Sequence, residues 1–268
     1  MFSVSPASGD STFKTRTSPM ALPAHLAERF SPALARALRT GAAPPGLSKA
    51  NGIAFGDAGL DALLPDGGLP RGSVVELSVG EGVPATSLLL AACNTLQRSC
   101  EKQGRDLPWC AFIDPTGSLY APGVRAAGVR AERLLVVRPP LEAMSRTVLR
   151  LAKSPAFALL IVDMVGVPGA RLQVRFDAWP RLVRRLAMEV ESSERSIVLV
   201  TERGAPRSLP LPVAQRIEIT RPTWDRLMVH VPKDRRGHVT PLRPVAWAVA
   251  RPPEFEVAEG AEQHATAS

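Results

Sequence analysis

"SVVELSVGEGVPATSLLLAACNTL", residues 73–96, runs from a β-branched apolar stretch through a glycine-containing loop into a leucine-rich segment with helical periodicity. That order is strand, loop, helix, the local frame of a phosphate-cradling loop of the form GxxxxGK[ST]. In such a loop glycines let backbone N–H groups approach phosphate oxygens, the lysine reaches the terminal phosphates, and the Ser or Thr hydroxyl holds magnesium. Here the loop reads Gly80, Glu81, Gly82, Val83, Pro84, Ala85, Thr86. Thr86 keeps its place. Pro84 has no N–H to donate and holds φ near −65°, and Ala85 brings no charge.

Working outward, further candidate strands lie at "WCAFID" (109–114), "RLLVVR" (133–138), "ALLIVDM" (158–164) and "SIVLVTE" (196–202). Several are continuous apolar runs, as strands covered on both faces require. Helical segments alternate with them: residues 85–103; 141–154, with Leu141, Met144, Val148 and Leu151 on one face; and 177–193, with Trp179, Leu182, Val183, Leu186 and Val190. Alternation of this kind predicts a mostly parallel α/β sheet. "QRIEITR" (215–221), "DRLMVHVPKD" (225–234) and "VAWAVAR" (245–251) are separated only by turns and predict antiparallel pairs at one edge.

The flanks differ from this core. Residues 1–20 are rich in Ser, Thr and Pro and are expected to be disordered, as is the polar tail 253–268. Within 21–50, Leu26, Phe30, Leu34 and Leu38 recur at four-residue steps, an amphipathic helical arm followed by the linker "GAAPPGLSKANG" (41–52). The core domain is expected over 51–252.

Composition narrows the function classes. With 268 residues, 45% of them hydrophobic, the chain can bury a full core, and its longest apolar runs fall short of the ~20 residues that span a bilayer. No signal-peptide pattern opens it, so a cytoplasmic location is expected, with association to the nucleoid left open. Cys93, Cys100 and Cys110 have no metal-ligand spacing and read as reduced thiols; no metal and no cofactor is expected. A net charge of +8 favours an anionic partner such as nucleic acid.

The surroundings of the loop carry a resemblance. "AFGDAGLDALLPDGGLPRGSVVELSVGEGVPATSLLL" (54–90), "CAFIDPTGSLYAPGVRAAGV" (110–129), "ALLIVDMVGV" (158–167) and "RIEITRPTWDRLMVHVPKDRRG" (216–237) occur in the order and spacing of the RecA recombinase family, over roughly residues 25–250. The resemblance implies a RecA-like P-loop NTPase core: a twisted, mostly parallel sheet flanked by helices, with an antiparallel edge and an N-terminal helical arm.

It also implies which equipment is missing. The family's catalytic Glu falls at Thr116, its loop lysine at Ala85, its last loop glycine at Pro84, and its γ-phosphate-sensing Gln at Glu202, whose charge would repel a phosphate. Asp163 alone survives, at the end of the second phosphate-site strand. The DNA-binding loops are short, at "MVGVPGARLQVRFDAW" (164–179) and "RGAPRSLPLPVAQ" (203–215), leaving Arg171, Arg175, Arg203 and Arg207 as candidate DNA contacts.

A RecA-like core without a competent nucleotide site resembles the ImuA family of mutagenesis accessory proteins. That resemblance implies a non-catalytic protein of the SOS response that promotes translesion synthesis. Its partners would be RecA, an ImuB-like Y-family protein and an error-prone DnaE-type polymerase, with the arm residues Leu26, Phe30, Leu34 and Leu38 as the partner-binding element. Three alternatives stay open: a divergent ATPase using a relocated lysine such as Lys102 or Lys153, an ATP-independent DNA-binding module with steep salt dependence, and a cell-division inhibitor of the SulA type.

Overall fold

The structure, a computed structural model, describes residues 52–166, 178–204 and 211–247, all within one compact unit, residues 49–268. The arm residues Leu26, Phe30, Leu34 and Leu38, the candidate contacts Arg171, Arg175 and Arg207, and the tail 253–268 lie outside the described residues.

An eight-stranded sheet organises the unit. In chain order the elements are α1 (Ala58–Leu63), β1 (Ser73–Val79), α2 (Ala85–Lys102), β2 (Trp109–Ile113), α3 (Ala121–Ala126), β3 (Leu134–Val137), α4 (Met144–Lys153), β4 (Phe157–Asp163), α5 (Ala178–Val190), β5 (Ser196–Glu202), β6 (Gln215–Thr223), β7 (Arg226–Asp234) and β8 (Thr240–Ala246). The strand order is β3-β2-β4-β5-β1-β6-β7-β8. Strands β3 through β6 in that order pair in parallel; β7 joins β6, and β8 joins β7, antiparallel. The expected mostly parallel α/β sheet with an antiparallel edge is therefore the fold.

β1 lies in the middle, with all seven residues buried. Its odd-numbered side chains Val75, Leu77 and Val79 pack with Leu88, Leu89, Ala92, Cys93 and Leu96 of α2. On the other face Val74 packs with Val148 of α4 and Trp179, Val183, Leu186 and Val190 of α5. Full burial of each such aliphatic side chain stabilises by about 1.5–3 kcal/mol, so the two layers outweigh local propensity in setting the fold. Arg195 joins the ends of α4 and α5: its guanidinium donates to the carbonyls of Ala152 (2.7 Å), Ser154 (3.0 Å) and Glu189. A cation on exposed C-terminal carbonyls also complements the helix dipoles.

Several expectations need correction. The last strand among the described residues is Thr240–Ala246, which starts five residues before the expected 245–251; residues 248–251 lie outside the described residues. Pro241 and Pro244 discourage a strand reading there, but β8 is the edge, where a missing N–H costs no ladder bond on the open side. The buried face of α4 is Met144, Val148 and Ala152. Leu141 falls in a preceding 3₁₀ turn and is exposed, and Leu151 is half-buried, because the helix starts three residues later than the periodicity implied. The short helices α1 and α3 carry too few apolar residues for a periodic signal.

Candidate functional site

The strand order β2-β4-β5-β1 places the C-terminal ends of four parallel strands side by side, and the sequence-predicted positions follow them. Asp163 ends β4 and Glu202 ends β5; the loop Gly80–Thr86 leaves β1, and Thr116 lies in the loop after β2. In open α/β sheets this edge is where ligands bind. The topology thus assembles a phosphate-loop position.

The loop after β1 turns its backbone groups on itself. The Gly80 N–H donates to the Ile219 carbonyl at 2.8 Å, Val83 to Gly80 at 3.3 Å, and Ala85 to Val83 at 2.8 Å. Pro84 sits at φ −78°, ψ 59°, the geometry of an inverse γ-turn, which is what brings the Ala85 N–H back onto the carbonyl two residues earlier. Gly82 holds φ +71°, a left-handed conformation that disfavours a side chain. Arg221, from the end of β6, donates to the Gly82 carbonyl at 3.1 Å and also to that of Trp224, pinning the loop to the β6–β7 hairpin. A phosphate loop points its N–H groups at an anion; here three are bonded within the protein and Pro84 has none.

Beside the loop is an open pocket of about 460 Å³ lined by Gly80, Glu81, Arg203, Thr220, Arg221 and Pro222. Arg203 is half-exposed and paired to Glu218 at 3.3 Å, so its charge is partly matched. Thr86 lines a different, larger groove along α2.

After β2 a buried carboxylate takes over. Asp114 accepts the N–H groups of Ser118 (2.9 Å) and Leu119 (3.1 Å), the Ser118 hydroxyl (3.2 Å), the Thr116 hydroxyl (3.4 Å) and Arg138 Nε (3.2 Å). Burial pushes its pKa up, but the Leu119 and Ser118 N–H groups, the Ser118 hydroxyl and Arg138 outweigh that and hold it below the usual carboxylate value. Thr116 is exposed, with its hydroxyl turned to Asp114 rather than to an attacking water.

Asp163 closes a turn by accepting the Val165 N–H at 3.0 Å. Burial raises its pKa, with the neighbouring Asp114 charge adding to the shift and the Val165 bond opposing it. Glu202 accepts the Gly166 N–H at 3.0 Å and so ties the loop after β4 to the end of β5. Among the described residues no group of three or more His, Cys, Asp or Glu side chains is placed to hold a metal ion. No helix among them is long and apolar enough to cross a membrane.

Sequence reasoning missed Asp114 and Arg221. The first had a signal: "DPTGS" (114–118) is a turn sequence in which Asp side chains bond the backbone a few residues on. Arg221 had none, because its partner is set by where the hairpin lies.

Comparison with known proteins fits this geometry. Residues 41–178, more than half of the chain, match the RecA N-terminal domain model. Protein RecA of Wolinella succinogenes is 34% identical over 132 residues, 49% of this chain and 36% of that protein. Protein RecA of Blastochloris viridis is 36% identical over 138 residues, 50% and 38% of the two chains. The chain thus matches little more than a third of the length of these relatives. The crystal structure of the RadB recombinase superposes with a TM-score of 0.57 at 14% identity, covering 72% of this chain and 95% of that one, which shows the shared fold. The chain belongs to the RecA N-terminal domain family.

Proposed function

We propose that this RecA-related chain is a non-catalytic protein of the DNA-damage response, of the ImuA kind, that acts through protein contacts. It binds RecA and restrains its recombinase activity in favour of error-prone translesion synthesis. An ImuB-like Y-family protein and an error-prone DnaE-type polymerase are its further partners, and the segment carrying Leu26, Phe30, Leu34 and Leu38 supplies a contact.

One observation supports this above the rest: the loop after β1 bonds its Gly80, Val83 and Ala85 N–H groups within the protein, has none at Pro84 and carries no lysine, so a triphosphate meets fewer donors there than a phosphate loop offers and no lysine to reach its terminal phosphates. Loss of one charge-assisted hydrogen bond costs about 1.5–3 kcal/mol, and this loop lacks several at once. Thr116, engaged with Asp114, adds that an attacking water has no carboxylate at that position to orient it.

The test combines two measurements. Titration calorimetry with ATP and magnesium is expected to give no binding heat; micromolar affinity would favour the divergent-ATPase reading instead. Addition of the protein to RecA on single-stranded DNA is expected to reduce strand exchange, and the Phe30→Glu variant is expected to reduce it less. Unchanged strand exchange, together with no RecA binding, overturns the proposal.

A further inference from the structure

A second concavity, larger than the one beside the loop, opens from Thr86 onward. It is a groove of about 1020 Å³ running along α2 from Thr86 to Lys102. Its floor is the outward stripe of that helix, the small half-buried residues Ala91, Asn94, Thr95 and Ser99. Leu119, Tyr120 and α3 form one wall, and Phe55, Gly56 and Trp247 also line it. Gly56 lies so close to the helix that a Cβ there would meet Thr95 Oγ1 at 2.5 Å. Tyr120, 71% exposed, presents a large ring to solvent at the rim.

The charge of this groove is one-sided. Arg98 and Lys102 line it, and none of its lining residues is a carboxylate. A concavity with apolar walls, a floor of small side chains and uncompensated cations fits an acidic segment that also carries apolar residues.

Such a segment begins at the groove itself. Trp247, a lining residue, is followed in sequence by residues 248–268, which hold Glu254, Glu256, Glu259 and Glu262 against one arginine, with Phe255 and Val257 between the glutamates. Glu254 and Glu256 follow Trp247 by seven and nine residues, a reach of about 23–30 Å for an extended chain. The 18 residues of α2 span about 27 Å. The glutamates can therefore meet Arg98 and Lys102 from wherever Trp247 enters the groove.

We propose that residues 248–268 occupy the groove along α2, with Phe255 or Val257 on its apolar walls and the glutamates against Arg98 and Lys102. The face of the phosphate-loop helix is then covered by the chain's own acidic segment. A competing acidic partner, or high salt, uncovers it. This inference is independent of which protein the chain binds in the DNA-damage response.

The experiment uses the full chain with a nitroxide attached at Gly260→Cys; the native Cys93, Cys100 and Cys110 are buried and leave the new thiol as the reactive one. Amide signals of Ala91, Asn94, Thr95 and Ser99 are expected to broaden several-fold more than those of α4, on the opposite face of the sheet. The effect fades in about 1 M salt, where the screening length is about 3 Å. In the Arg98→Glu/Lys102→Glu variant the broadening is lost, and added Glu254→Arg/Glu256→Arg changes restore it. Equal broadening of α2 and α4, or broadening unaffected by these charge changes, overturns the proposal. So does broadening seen only when spin-labelled chain is mixed with separate isotope-labelled chain, which assigns the groove to a second copy.

Discussion

Two loops leave neighbouring parts of the same sheet edge and reach the same end by different means. The loop after β1 folds its backbone onto itself through Pro84 and is pinned from outside by Arg221. The loop after β2 makes one backbone turn bond, Gly117 N–H to the Asp114 carbonyl, and otherwise folds around a buried side chain, Asp114, which gathers two N–H groups, two hydroxyls and a guanidinium. In both, polar groups at the carboxyl end of a parallel strand are turned toward the protein. The difference is in what holds them: many bonds converging on one carboxylate are expensive to lose together, whereas backbone bonds spread along a turn can be undone singly.

The largest effect expected from breaking this comparison is at Asp114. Asp114→Ala leaves the Ser118 and Leu119 N–H groups without their acceptor and Arg138 with only the Leu119 carbonyl, and a loss of about 2–4 kcal/mol in urea-monitored stability is expected. The same residue sets a pH dependence. Its folded pKa is depressed, so its contribution is complete above the unfolded Asp value of about 3.9 and disappears as pH falls through the lower folded value. Asp163 runs the other way: its raised folded pKa means that it takes up a proton first on acidification, relieving a cost of burial. Stability measured against pH is expected to fall more gently below pH 4 in Asp114→Asn than in the native chain. An unchanged acid limb would show that Asp114 is not the group being protonated.

A smaller effect, on affinity, is expected from reversing the other loop. Pro84→Gly/Ala85→Lys restores a donor, a flexible residue and a cation together. ATP–magnesium binding is expected to strengthen by about 1.5–3 kcal/mol, roughly ten- to a hundredfold, while hydrolysis stays absent because position 116 is still Thr. Calorimetry reads the first and phosphate release the second. No gain in binding would mean that the bonds of Gly80 to Ile219 and of Arg221 to Gly82 hold the loop closed without Pro84.

Much of this fold is legible in the sequence because it is written in repeated, local signals. The limits of β1 and β5 follow directly from apolar runs bounded by turn residues, and the buried stripe of α5 from its periodicity. β8 was misplaced because its prolines obey an edge-strand rule that applies only once the strand order is known. At the site the same division holds. The absence of a lysine and a glycine can be read from residues 84 and 85, but the γ-turn that closes the loop is a property of its dihedral angles. The Glu76–Arg216 pair, at 2.8 Å in the buried middle of the sheet, joins residues 140 apart, a contact that local patterns do not encode.

The smallest effect, and the sharpest on how the β1 loop is held, concerns Arg221. Its two donated bonds go to carbonyls of residues that are themselves exposed, so Arg221→Ala is expected to lower global stability by only about 0.5–1 kcal/mol. The local consequence is larger than the global one. With the Gly82 carbonyl released, the turn at Gly80–Val83 is held from within by the Val83 and Ala85 bonds alone, and exchange of the Val83 and Ala85 amides is expected to quicken while that of β1 stays as it was. In Asp114→Ala, by contrast, exchange in the loop after β2 and global stability are expected to change together, because that loop has one centre. Equal protection of the Val83 and Ala85 amides with and without Arg221 would mean that Pro84 alone sets the loop, and that the pin from the β6–β7 hairpin follows from the turn rather than holding it.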